Sequence, residues 1–393
     1  MKVLCVVHSP FFGGPHNEAL RLKGPLRRRG WEIEVAIPDE PGSAAERLEA
    51  EGLPVHALPL SRLRASRDPR LLLRFVRGFG PTVRGLEETI EATGADVVQI
   101  GGLVNPHGAF AARRVGAAVV WQIVDSRAPA PLRHAAMPIV RRLADAVMFD
   151  GEALVELHGG RESLRVPTFV YFPPVDTGRF VPSAAHRRAV RDELGIPPGA
   201  PVVGTVSSLN PMKGLEHFVD AAAQIAASRP EAWFVVIGGA PDTHLAYRER
   251  LNRRAEELAL PNPVVFAGER VDVERCYPAF DLHVIASLPR SEGTTTTAME
   301  AQACGVPVVA TQVAAVGEVV DEGLTGLLVP PEQPAAIARA VLRLLGDERL
   351  RARMGAAGRE TAVERFDAER VTDVYVEAYE AALAHAATLS REP

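Results

Sequence analysis

Tyr171-Phe172-Pro173-Pro174-Val175-Asp176 divides a chain of 393 residues into two stretches that repeat one pattern. Its two prolines lack an N–H and clash with a preceding turn, so they forbid a continued helix and disfavour a central strand. On the N-terminal side, short β-branched runs stand at Val3–Val7, Ile33–Ile37, Val55–Leu60, Val97–Ile100, Ala118–Val124 and Ala146–Phe149. Amphipathic stretches such as His16–Arg29 and Leu71–Val76 lie between them. The rhythm restarts at Pro201, with runs at Val202–Val206, Trp233–Ile237, Val264–Ala267, Leu282–Ala286, Pro307–Ala310 and Leu327–Val329. Runs that are apolar throughout are buried on both faces, which predicts parallel sheets covered by helices. Beyond Pro334 the pattern is helical over Ala335–Leu345, Glu348–Glu364 and Asp367–Ala386. The expected fold is α/β, two doubly wound domains at 1–174 and 175–366 facing a cleft, because ligands bind outside the carboxyl ends of parallel strands.

Hydrophobic residues make up 47% and charged residues 24%, a globular composition that excludes disorder over most of the chain. Forty-four Lys and Arg against 49 Asp and Glu give no basic excess, so no nucleic-acid partner is expected. Cys5, Cys276 and Cys304 stand far apart, with neither metal spacing nor a disulfide framework, which fits a reducing cytosol. The apolar run at Lys2–His8 is too short for a secretory signal, and no run of about 18 uncharged apolar residues occurs elsewhere. A soluble, cytoplasmic protein is the expectation. No G-x-G-x-x-G follows the first strand, and G-x-x-x-x-G-K-[ST], H-E-x-x-H and G-x-S-x-G are missing. Standard dinucleotide dehydrogenases, P-loop hydrolases, zinc peptidases and the usual serine hydrolases are thereby set aside.

What remains is concentrated between Ser291 and Pro331. Glu292-Gly293-Thr294-Thr295-Thr296-Thr297-Ala298-Met299-Glu300 places two carboxylates eight positions apart. With the first in a loop and the second in the following helix, both can face one ligand over a helix N-terminus. That terminus offers unpaired N–H groups and a positive dipole end suited to phosphate. A capping arrangement, with Glu292 near the dipole and the threonines as caps, accounts for the same residues.

The stretch from Ser291 through Thr311 closely resembles the signature of retaining glycosyltransferase family 4, as does Thr325-Gly326-Leu327-Leu328-Val329-Pro330-Pro331. Gly204-Thr205-Val206-Ser207-Ser208-Leu209-Asn210-Pro211-Met212-Lys213-Gly214 looks like its phosphate-binding strand and loop. Val175-Asp176-Thr177-Gly178-Arg179-Phe180 matches its domain junction, and Gly13-Gly14 its N-terminal glycine loop. The resemblance implies the GT-B fold: two Rossmann-like domains, with the last helix, from about 367, crossing back to the first. It implies a retaining, metal-independent glycosyltransferase of bacterial glycan or glycoconjugate biosynthesis. No cofactor is implied; a nucleotide-diphosphate-sugar is co-substrate, bound mainly by the C-terminal domain. The acceptor hydroxyl, on a glycan, a lipid-linked or a small molecule, is bound mainly by the N-terminal one.

Residue by residue, the resemblance has Glu300 bind the ribose hydroxyls and Glu292 the donor-sugar hydroxyls. Backbone N–H groups around Gly293, Thr294, Thr295 and Thr296 lie near the diphosphate, and Gly13 and Gly14 let backbone approach it from the other side. Lys213 neutralises the leaving diphosphate. Arg270 and Val271 fall in the segment where the family's base pocket forms. Two positions depart from the pattern. Ser208 stands where the family usually has arginine, a loss for which Arg290 or Arg270 could compensate. Val124 stands where many members have histidine, leaving Asp125, which joins Lys213 and Glu292 in the expected catalytic set. A nucleotide-sugar 2-epimerase of the same architecture and a non-catalytic sugar-nucleotide-binding subunit are the alternatives.

Outside these motifs, His8, His107 and His134 are candidate cleft residues. Arg62, Arg64, Arg67, Arg70, Arg74 and Arg77, opposed by Asp68, form a basic stretch. A peripheral contact with anionic lipid at the inner face of the membrane, a phosphorylated acceptor, or a solvated helix face each fits it. Tyr375 and Tyr379, at i,i+4 on the last helix, read as packing.

Overall fold

Seven strands form the first sheet: β1 (Lys2–Val6), β2 (Glu32–Pro38), β3 (Val55–Leu58), β4 (Val97–Gly101), β5 (Ala118–Ile123), β6 (Ala146–Asp150) and β7 (Thr168–Tyr171). They pair in parallel in the order β3-β2-β1-β4-β5-β6-β7. Six more form a second parallel sheet: β8 (Val202–Val206), β9 (Trp233–Ile237), β10 (Val265–Gly268), β11 (Leu282–Ile285), β12 (Val308–Thr311) and β13 (Gly326–Val329), in the order β10-β9-β8-β11-β12-β13. Strand order reverses between β1 and β4 in one sheet and between β8 and β11 in the other, the switch points where such sheets receive ligands. This computed structural model describes residues 1–62, 69–103, 105–124, 128–240, 244–289 and 291–389. It divides into two compact units, Met1–Pro174 with Ala368–Pro393, and Val175–Asp367.

Three elements differ from the sequence reading. β7 is an additional strand at the sheet edge; its first three residues are only half-buried, so Thr168-Phe169-Val170-Tyr171 lacks the continuous apolar run of a central strand. The amphipathic stretch at Leu71–Val76 is the first part of a helix running Pro69–Thr93, whose glycines and internal Pro81 obscure its period. The helix expected over Glu348–Glu364 ends at Thr361 and continues as a π-helical turn, Ala362–Phe366.

The last helix, Ala368–Leu389, belongs to the first unit. Tyr375 and Tyr379 are wholly buried there. Their rings meet Tyr171 and Trp31 at centroid distances of 5.3 and 5.0 Å. Each hydroxyl enters a buried polar chain. The Tyr379 hydroxyl donates to Gln99 Oε1 at 2.5 Å, and Gln99 Nε2 donates to Gln122 Oε1 at 3.1 Å. Gln122 Nε2 then donates to Glu18 Oε1 at 2.6 Å and to the Tyr375 hydroxyl at 3.2 Å. Polar groups so deep in a core persist because each is paired. No helix among the described residues is long and apolar enough to cross a membrane.

Candidate active site

Lys213 ends a short 3₁₀ turn, Pro211–Lys213, that follows β8 and its loop. Asn210 opens the turn by accepting the Met212 N–H on its side-chain oxygen at 2.9 Å. Gly214 closes it in the left-handed region, φ +60°, and a Cβ there would lie 2.1 Å from the Ala286 carbonyl oxygen. Only glycine fits both demands. The turn is thereby held against the loop after β11, where the Leu288 N–H also donates to the Met212 carbonyl at 3.0 Å.

That contact brings Lys213 to Glu292. Lys213 Nζ donates to Glu292 Oε1 at 2.6 Å, and Ser287 Oγ donates to the same oxygen at 2.5 Å. Ser287 is anchored in turn, its carbonyl accepting from Thr311 Oγ1 at 2.7 Å. Glu292 is 7% exposed, so a cationic partner matters to it: a lone buried carboxylate would be costly. The helix Thr296–Ala303 starts three residues after Gly293 and carries Glu300. Thr295 is its N-cap residue, but its hydroxyl makes no capping bond and approaches Thr297 Oγ1 at 3.2 Å instead. The hydroxyl-capping arrangement is therefore not realised at Thr295. Glu300 is 5% exposed, and its Oε2 accepts from the Tyr277 hydroxyl at 2.7 Å.

Other expected residues stand differently. Ser208 is exposed, with its carbonyl accepting from Ser207 Oγ and the Asn210 N–H. Val271 is 68% exposed. Arg270 makes a two-point pair with Asp272, 2.9 Å at each contact, and a further ion pair with Glu193. The two carboxylates push its already high pKa further up. Arg270 is thus paired with neighbouring acids in this structure. Arg290 and Asp125 lie outside the described residues. Ser287 and Tyr277 went unread: each is a common residue, and only the fold brings it to its carboxylate.

In the first unit, Gly13 is the N-cap of the helix Gly14–Arg28, and its N–H donates to His16 Nδ1 at 3.2 Å. His16 Nε2 reaches the Ser9 carbonyl at 3.1 Å, and burial lowers the imidazole pKa to about 4. A Cβ at Gly13 or Gly14 would meet nothing within 4 Å, and Gly13 has an extended backbone, so neither glycine is demanded by its own surroundings. Val124 borders a cavity of about 150 Å³ shared with His8, Glu18, Gln99 and Gln122. His107 Nε2 lies 3.0 Å from Ser61 Oγ, and His134 Nδ1 bonds the Ala130 carbonyl of its own helix at 2.7 Å.

The basic stretch divides. Arg62 turns inward, donating to the His8 carbonyl at 3.0 Å and pairing with Glu40. Arg70, Arg74 and Arg77 stay exposed on the helix Pro69–Thr93. Beside them Leu72, Leu73 and Val76 are 55%, 49% and 61% exposed. Arg64, Arg67 and Asp68 lie outside the described residues. Among those residues, no group of three His, Cys, Asp or Glu side chains could hold a metal ion.

Two doubly wound parallel sheets in one chain match the GT-B fold. Solved structures share it: Anabaena HepE in complex with UDP matches with a TM-score of 0.80 and 24% identity, over 97% of this chain and all of that one. Sucrose-phosphate synthase from Thermosynechococcus elongatus matches at 0.78 and 20%, over 98% and 99%. Two family models match the sequence, a glycosyl transferase 4-like domain over 13–168 and glycosyl transferases group 1 over 186–361. The chain belongs to this family of glycosyltransferases.

Its relatives include the lipopolysaccharide core biosynthesis mannosyltransferase LpsB of Rhizobium meliloti, 32% identical over 55% of this chain and 62% of that protein. A D-inositol 3-phosphate glycosyltransferase of Corynebacterium jeikeium is 34% identical over 59% of this chain and 56% of its own. The matched stretch thus spans little more than half the length of these curated relatives.

Proposed function

We propose that the protein is a retaining, metal-independent glycosyltransferase that moves a sugar from a nucleotide-diphosphate-sugar to an acceptor hydroxyl. The Lys213–Glu292 pair carries this reading: a cation and a carboxylate held 2.6 Å apart at the loop after β11, beside a helix N-terminus. Lys213 would shift from Glu292 to the diphosphate as charge builds on the leaving nucleotide, with the N–H groups near Gly293, Thr294, Thr295 and Thr296 sharing that charge. Both present donors to Glu292 land on Oε1, so sugar hydroxyls would be taken on Oε2. Glu300 would accept the ribose diol. Gly13 and Gly14, which nothing around them requires, would leave room for the diphosphate. HepE, with which the chain shares its fold, was solved with UDP and with UDP-glucose, which supports a nucleotide-sugar donor.

Val124 offers an apolar side chain where many members of the family hold a donor hydroxyl. The donor would therefore lack a 6-hydroxyl or direct it to another group or water, because a buried unpaired hydroxyl costs roughly 1–3 kcal/mol. The exposed leucines and arginines at the start of Pro69–Thr93 would rest on an anionic membrane surface, the chemistry that pairs apolar side chains with guanidinium groups.

A panel of nucleotide-sugars, read by nucleotide release with and without EDTA, tests the reading. Slow hydrolysis to free sugar that survives EDTA supports it. A new nucleotide-sugar would instead identify a 2-epimerase, and neither product a binding subunit. Activity lost in EDTA and restored by Mg²⁺ would refute metal independence.

A further inference from the structure

We infer that Tyr277 positions Glu300 for the ribose, and so governs discrimination between ribonucleotide and deoxyribonucleotide; this rests on the role proposed above for Glu300. The Tyr277 hydroxyl donates to Glu300 Oε2 at 2.7 Å. The tyrosine is wholly buried and the glutamate nearly so. A neutral donor on one oxygen fixes the plane of a carboxylate without cancelling its charge. The carboxylate is then held in a set orientation, as binding two hydroxyls at fixed spacing requires. Tyr277 is itself immobilised. It begins the 3₁₀ turn Tyr277–Ala279, and its ring is bounded by His283, Phe180 and Phe280 at centroid distances of 5.5, 6.0 and 6.2 Å. All five residues lie within Val175–Asp367, so the device is complete inside one unit.

A purely structural role, in which Glu300 only satisfies a buried hydroxyl, predicts a different outcome. Calorimetric titration with UDP, GDP and ADP identifies the base that binds best, and its 2′-deoxy counterpart is then compared. Wild type is expected to prefer the ribonucleotide. Tyr277→Phe should narrow that preference roughly 3- to 10-fold, the effect of one lost hydrogen bond, with deoxyribonucleotide affinity unchanged. Glu300→Gln should narrow it too, and the double variant no further than the larger single effect. Equal weakening toward both nucleotides in Tyr277→Phe, or an intact preference there while Glu300→Gln abolishes it, overturns the positioning role alone. An intact preference in Glu300→Gln overturns the assignment of Glu300 to ribose and with it this inference. Should Tyr277→Phe not fold, Glu300→Asp withdraws the carboxylate from the hydroxyl while keeping its charge. A preference retained in that variant overturns the inference equally.

Discussion

Lys213 and Glu292, 79 residues apart in sequence, meet through a single carboxylate oxygen at 2.6 Å, and Ser287 donates to that same oxygen. The lysine is the more exposed member: its side chain is 25% exposed and that of Glu292 8%. A lysine reached by solvent could exchange a carboxylate for a phosphate while Ser287 continues to hold the carboxylate it leaves.

Lys213→Ala should therefore fold and lose turnover. A charge-assisted hydrogen bond contributes roughly 1.5–3 kcal/mol, so kcat/KM should fall about 10- to 150-fold. Steady-state kinetics with the best donor of the panel checks this, and an unchanged rate removes Lys213 from the site.

The two glutamates should separate. Glu300→Gln should weaken binding of the free nucleoside diphosphate. Glu292→Gln should leave that affinity nearly unchanged and lower turnover with the whole donor. Titration of both variants with the diphosphate decides it; equal weakening would break the division of roles.

Glu18 makes stability depend on pH. Burial raises its pKa from 4.5 to about 7, and the donors that reach it, Gln122 and Tyr375, are neutral. The folded state then holds a proton that the unfolded chain has lost, so this residue costs stability as pH rises from about 4.5 to 7, by about 3 kcal/mol in total. Glu18→Gln, which keeps an oxygen for Gln122, should raise Tm at pH 8 and change it little at pH 4.5. Half-buried His8 and the buried His16, His107 and His283, whose pKa values desolvation lowers to about 3, 4, 4 and 3, act in the opposite sense. Their contribution is complete above about pH 6.5 and declines below it in both proteins. An equal Tm difference between the two proteins at both pH values would contradict the assignment.

Vesicle sedimentation tests the exposed end of Pro69–Thr93. The protein should bind phosphatidylglycerol vesicles, ignore phosphatidylcholine ones, and be released by about 0.5 M salt, roughly three times physiological ionic strength. Arg74→Glu with Arg77→Glu should abolish binding, and Leu72→Ser with Val76→Ser should weaken it. Retention by neutral vesicles, or indifference to the arginine changes, would discount a charged membrane contact.

Much of this architecture is legible in the sequence because parallel strands are buried on both faces. Val202–Val206 and Trp233–Ile237 read directly as strands, since no polar alternation confuses them. Elements less covered by neighbours read poorly: edge strand β7 is half-buried, and Pro69–Thr93 is broken up by glycine and proline. In the site, Glu292 reads as loop and Glu300 as helix from the glycine and threonines between them. Their partners do not read at all. Tyr277 sits in Cys276-Tyr277-Pro278-Ala279-Phe280, where a tyrosine looks like core, and nothing around Arg270 in sequence announces its pairing with Glu193.

The placement of the last helix has a consequence for how the chain is made. Val175–Asp367 is continuous, and all of it precedes the last helix in sequence. The first unit is not: Tyr375, Ala378, Tyr379 and Ala382 fill its core from the far end of the sequence. Although its seven strands are synthesised first, that unit must wait with part of its apolar surface and the Gln99–Gln122–Glu18 chain unfinished until the final segment arrives. In order of synthesis, the core of the first unit is therefore closed by a segment made after the whole of Val175–Asp367.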